Sequence, residues 1–249
     1  SERLFLRVLE LDPTFSLAWD NLAKLYRIQN KLSKSVPAFK NLIKLDPNNF
    51  EALVSLGTVY IKLSKYHEGI KLYDKSLKIN PENPRVFLSL GHALKTVGER
   101  KRCEDAYQNA IKYFPLSGEA YWSLANLKTY EFSDKEIIDM ESSLNKNIHP
   151  KELIQMHFAL GKAYESKKYF DKSFKHYAQG NWLQRKQISY NAEDHKIFIN
   201  ELIDFFEKNH DLYKFKAKSS FKDPIFILGL PRSGSTMIEQ ILASHSLIE

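Results

Sequence analysis

Leu45-Asp46-Pro47-Asn48-Asn49-Phe50-Glu51-Ala52-Leu53-Val54-Ser55-Leu56-Gly57-Thr58-Val59-Tyr60 is the stretch on which the fold turns. Its proline interrupts one apolar segment, after which Leu53, Leu56, Gly57 and Tyr60 recur at i, i+3, i+4 and i+7. That spacing is the single stripe of an amphipathic helix. The phrase returns along the chain: Pro13, Pro47, Pro81 and Pro115 are 34 residues apart, and Pro150 follows 35 later. Equivalent stripes are Trp19, Leu22, Ala23 and Tyr26, then Phe87, Leu90, Gly91 and Leu94. Between stripe and next proline stand Ser35, Phe39 and Leu42; Gly69, Tyr73 and Ser76; Cys103, Tyr107 and Ala110. Small and bulky residues in that order let two helices pack closely. Two helices per 34-residue unit, neither able to bury its apolar face alone, describe an α-solenoid of stacked helix pairs.

These residues resemble the tetratricopeptide-repeat (TPR) family over about residues 1–182. The pattern is regular through Pro115 and looser beyond. Tyr121, Leu124 and Ala125 keep the first-helix set, Lys128 breaks it, and Ile137 and Glu141 stand in the small and aromatic slots. His157, Leu160, Gly161, Tyr164, Ser173, Tyr177 and Gly180 restore the pattern. Phe5 and Val8 read as the second helix of a repeat whose first helix is missing, so a cut at the N-terminus is expected. The aromatic residues read as core, and Cys103, in a small slot, as buried and unreactive. The resemblance implies a protein or peptide partner along an inner wall that includes Lys24, Arg27, Thr58, His92, Lys95 and Asn126. That wall leans positive and would suit acidic peptides; the plainer reading is a solvated face.

Composition narrows the partners. The 37 basic and 30 acidic residues give a net charge of +7, spread along the chain without an arginine-rich block, so no nucleic-acid partner is expected. No apolar run reaches about 18 residues, so no membrane span is expected. The single cysteine fits a reducing, cytoplasmic setting. His67, His92, His149, His157 and His176 lack ligand-like spacing, and no metal site is expected.

Residues 183–222 read as a connector. Ile197, Phe198, Leu202, Phe205 and Phe206 lie at helical spacing and predict an amphipathic helix that docks on the last repeat or on a second domain. Lys214 to Lys222 is a basic linker.

Residues 223–249 read as the start of that second domain. Pro224-Ile-Phe-Ile-Leu-Gly-Leu230 has the composition of a strand buried on both faces of a parallel sheet. Pro231-Arg232-Ser233-Gly234-Ser235-Thr236 follows, and then Met237, Ile238, Ile241 and Leu242 at helical spacing. Strand, tight loop and hydroxyl-rich helix start form a phosphate cradle. Gly229, Gly234 and Thr236 match a Walker A loop, but Ser235 takes the place of its lysine, which argues against ATP or GTP hydrolysis.

The phrase Pro231–Thr236 is similar to the 5′-phosphosulfate loop, P-[KR]-[ST]-G-[ST]-[ST], of sulfotransferases that use 3′-phosphoadenosine 5′-phosphosulfate (PAPS). Glu239-Gln240-Ile-Leu-Ala-Ser-His245 also looks like the first helix of bacterial enzymes that join TPR arrays to a protein-tyrosine-sulfotransferase-like domain. The phrases Phe158–Tyr164 and His176–Asn181 look like that family's last repeat. The fold class implied is mainly α: a TPR-type solenoid, then the first strand, loop and helix of an α/β, P-loop-like sulfotransferase domain. The resemblance implies PAPS as co-substrate, without metal, and Pro231, Arg232, Ser233, Gly234, Ser235 and Thr236 as its binding residues. Arg232 would be catalytic, beside the sulfuryl group, and the acceptor a hydroxyl, tyrosine at family level. A general base and a 3′-phosphate site are expected beyond Glu249, so this stretch alone should be inactive. His245 reads as a helix-end cap. A lone strand and helix should not pack natively. A non-catalytic TPR scaffold is the alternative from another class, and a P-loop NTPase a third.

Overall fold

The computed structural model describes residues 2–127, 130–209, 225–229 and 233–246. It divides into two compact units, residues 1–189 and 190–249.

The first unit is a row of helix pairs preceded by one helix, α1 (Glu2–Leu11). The pairs are α2 (Ser16–Ile28) with α3 (Leu32–Leu45), α4 (Phe50–Lys62) with α5 (Tyr66–Ile79), and α6 (Pro84–Val97) with α7 (Arg100–Tyr113). Then come α8 (Gly118–Ala125) and α9 (Asp134–Leu144), and α10 (Pro150–Ser166) with α11 (Phe170–Gln187). The 34-residue period reaches the connections. Asn30 (φ 56°), Ser64 (φ 59°) and Gly98 (φ 82°) each take the left-handed conformation between the helices of a pair, as does Lys168 (φ 63°) in the last. Asn49, Asn83 and Ser117, also 34 apart, cap α4, α6 and α8 by accepting from Ala52, Val86 and Ala120 N–H. Trp19 Nε1 donates to Pro13 O at 2.8 Å, tying the first proline turn to its helix.

Within a pair, a ring fits where a side chain is missing. A Cβ on Gly91 would lie 2.4 Å from the Tyr107 ring, one on Gly161 2.7 Å from Tyr177, and one on Gly57 2.9 Å from Tyr73. In the first pair Ala23 and Phe39 share one buried cluster. The small slot of the second helix adds a polar tie: Cys103 Sγ donates to Gly91 O at 3.3 Å, and Ser173 Oγ to Gly161 O at 2.8 Å. Leu53, Leu94, Leu124 and Leu160 are fully buried, each contributing about 1.5–3 kcal/mol.

The fourth pair departs from the pattern. α8 is only 8 residues long and packs chiefly on α10 rather than α9. The approach is so close that a Cβ on Gly118 would fall 1.9 Å from Glu152 O. Ile137 keeps the small slot, buried. Glu141, read into the aromatic slot, instead accepts a hydrogen bond from the Tyr164 hydroxyl, while its neighbour Met140 fills the core. Pro150 does not repeat the role of the earlier prolines. Pro13, Pro47, Pro81 and Pro115 stand three residues before the next helix, whereas Pro150 is the first residue of α10, where a missing N–H costs nothing. Lys128 lies outside the described residues.

In the second unit, α12 (Ala192–Lys208) forms where the amphipathic pattern predicts it, capped by Asn191. No residue of α12 is buried; Ile197, Phe198, Leu202, Phe205 and Phe206 are all exposed. The basic linker, Lys214 to Lys222, lies outside the described residues. The expected strand is corrected: residues 225–229 form none, and Ile225, Phe226 and Leu228 are exposed. The reason is physical, since a strand exists only through ladder partners and none is present among the described residues. The expected helix is present as α13 (Ser235–Ala243), without a buried residue.

Candidate functional site

The phosphate-loop reading rests on the tip of α13. Gly234, at φ 87°, occupies the N-cap in the left-handed region, and its carbonyl accepts from Met237 and Ile238 N–H at 3.0 and 3.1 Å. The N–H groups of Ser235 and Thr236 in the first turn take no acceptor among the described residues. The chain turns back on itself: a Cβ on Gly229 would meet Ser233 Oγ at 2.4 Å, and the serine hydroxyl would have to rotate away to admit one. Open amides, two hydroxyls and a side-chain-free approach suit a phosphate chemically. Ser233, Gly234, Ser235 and Thr236 are thus gathered at one helix tip. Pro231 and Arg232, and with Arg232 the catalytic assignment, lie outside the described residues. His245 follows the helix end, its N–H on Leu242 O at 3.0 Å.

The first-helix wall is less open to acidic ligands than its residue types imply. Lys24 is paired with Asp20 at 2.6 Å. Thr58 Oγ1 donates to Val54 O and lies 3.0 Å from the Tyr73 hydroxyl. His92 bridges Glu119, at 3.2 Å, and the Tyr107 hydroxyl, at 2.9 Å, and its bond holds the Glu119 carboxyl below the usual range. Lys95 and Asn126 are exposed, and Arg27 is half-buried. Sequence reasoning passed over a half-buried apolar row on the same helices: Val54, Leu88, Trp122 and Phe158. The rings of Trp122 and Phe158 are 5.6 Å apart. Their spacing of 34, 34 and 36 was readable, but each also suits an ordinary core position.

Two buried or half-buried chemistries complete the first unit. Cys103 is fully buried, and burial pushes its thiol up, away from reactivity. His157 and His176, nineteen residues apart, meet between α10 and α11 with Nδ1 atoms 3.1 Å apart. Burial, and then the neighbouring imidazole, lowers His157 to about 4. Burial lowers His176 as well, against the pull of Glu141. The Tyr164 ring stacks on His176 and its hydroxyl is pushed up to about 12, by burial and by Glu141. No group of three potential metal ligands occurs among the described residues, and no helix among them is long and apolar enough to cross a membrane.

Comparison with known proteins matches separate stretches of the chain to two families. A tetratricopeptide-repeat model matches residues 4–36 and 38–71, a TPR-repeat model residues 57–98, and a sulfotransferase-family model residues 224–249. An uncharacterized protein of Aquifex aeolicus is 31% identical over 157 residues, 62% of this chain; the chain spans 20% of that relative's length. Among solved structures, MamA is similar at 25% identity and a TM-score of 0.55, over 68% of this chain and 98% of its own. YrrB, a TPR protein with an unusual peptide-binding site, aligns at 20% identity and a TM-score of 0.57, over 74% of this chain and 94% of its own. The chain therefore carries tetratricopeptide repeats and, near its C-terminal end, a segment similar to the sulfotransferase family.

Proposed function

We propose that residues 223–249 open a PAPS-dependent sulfotransferase domain, and that the repeats over residues 1–182 recruit a protein or peptide partner for it. The observation that carries this reading is Pro231–Thr236 leading into α13 within the segment that matches the sulfotransferase family. PAPS supplies an activated sulfuryl group. In this reading the N–H groups of Ser233, Gly234 and Ser235 and the hydroxyls of Ser235 and Thr236 hold its 5′-phosphate. Arg232 neutralises charge on the bridging oxygen, an effect on the order of 2.7–4 kcal/mol for one preorganised donor. The acceptor is a hydroxyl, with protein tyrosine as the specific expectation, and the setting is cytoplasmic.

A non-catalytic scaffold is the second reading, favoured by structural matches such as YrrB that belong to TPR proteins. Thermal shift of the full-length protein separates the two. Stabilisation by 3′,5′-adenosine bisphosphate supports the transferase. Stabilisation by ATP alone overturns it in favour of a nucleotide hydrolase, and no shift with either leaves the scaffold.

A further inference from the structure

The 34-residue register sets equivalent residues across each seam between the second helices of neighbouring pairs. Across α5 and α7, Arg102 grips both carboxylate oxygens of Asp74, at 2.9 and 3.1 Å. Across α7 and α9 the equivalents are Gln108 and Glu136. They are joined through Tyr130, whose hydroxyl accepts from Gln108 Nε2 at 3.0 Å and donates to Glu136. Across α3 and α5 the equivalents are Lys40 and Glu68. Their charges are opposite, yet no ion pair joins them. Beneath them the seam opens into a cleft of about 330 Å³ with Ile43, Leu56, Tyr60 and Leu72 as its apolar floor. Lys71 adds a second cation at its edge.

We infer that this cleft docks a short segment of a partner protein that presents a bulky apolar side chain beside acidic residues. An open seam is not a general property of this array, because the next two are closed by the chain's own side chains. The floor is apolar, so its occupant gains by desolvation. The rim carries two cations against one anion, and neither Lys40 nor Lys71 is used in an ion pair among the described residues, so the complementary segment is acidic. The site is built from the second helices and the core end of α4. It is thus distinct from the first-helix wall of Lys24, Arg27 and Lys95, and it does not depend on the sulfotransferase reading.

The test uses the whole chain and a fluorescein-labelled hexapeptide, Asp-Glu-Leu-Phe-Asp-Glu, followed by anisotropy. Saturable binding with Kd below about 1 mM is expected. Lys40→Asp combined with Glu68→Arg transplants the neighbouring bridge and closes the cleft, and should weaken binding at least tenfold with helicity unchanged. Lys71→Glu, at an exposed position, should weaken it similarly, while Lys24→Ala, Arg27→Ala and Lys95→Ala leave it unchanged. Absence of saturable binding, equal binding by the bridged variant, or a loss confined to the first-helix variants would overturn the inference. So would a double-mutant cycle in which Lys40 and Glu68 already couple as strongly as Asp74 and Arg102.

Discussion

Gly118 and Glu152 touch backbone to backbone: the space where a Cβ would extend from α8 is already held by the carbonyl oxygen of α10, 1.9 Å away. The contact is locked by Glu119 N–H donating to Glu152 Oε2 at 3.0 Å. A main-chain oxygen cannot swing aside as a side chain can. Gly118→Ala should therefore cost at least about 2 kcal/mol, toward the upper end for overpacking. Urea unfolding monitored at α8–α10 reads the loss, and unaltered stability would show that the two helices separate freely.

Gly91→Ala tests the glycine gaps in a milder setting, because the obstacle is the Tyr107 ring. A loss of about 1–3 kcal/mol is expected. Cys103→Ser should stay within about 1 kcal/mol of the parent, since Ser173 makes the same bond to Gly161 O that Cys103 makes to Gly91 O. A thiol reagent should label Cys103 only as the array unfolds; rapid labelling of folded protein would contradict its burial.

His157 and His176 make the last pair sensitive to acid. Their Nδ1 atoms, 3.1 Å apart, can share one proton but not two. Both imidazoles have a pKa lowered on folding, so the unfolded chain binds protons more readily. Their contribution to stability is complete above the unfolded value, about 6.5, and is lost as pH falls toward the His157 value of about 4. Discounted for rings half open to water, the loss is on the order of 1–2 kcal/mol. His157→Gln should flatten this component, read as a smaller drop in Tm between pH 7.5 and 4.5 than in the parent.

Arg232→Ala in the full-length protein should lower PAPS-dependent sulfate transfer by about 10²- to 10³-fold, with the melting of the repeats unchanged. Undiminished transfer would remove Arg232 from the chemistry.

The repeats were legible because proline, glycine and tyrosine recur with a fixed period, and each has its own mechanical reason to stand where it does. Pro150 misled because the same residue serves two different places near a helix start. The meeting of His157 with His176, and the facing of Lys40 with Glu68, come from packing between helices and leave no mark in local spacing. At the loop, the phrase around Gly234 was readable because φ 87° and a helix tip need that residue. The strand before it does not form here because apolar composition proposes a strand but only neighbouring strands make one.

The rings of Tyr73, Tyr107 and Tyr177, seated in their glycine gaps, have a mechanical consequence. They act as pins that stop the two helices of a pair from sliding along each other, so the second, third and last pairs behave as stiff plates. Bending strain must then collect at the seams, least where Arg102 rivets α7 to α5 and most where Lys40 and Glu68 stand unjoined. Of these two seams, the one beside the first pair is the more compliant.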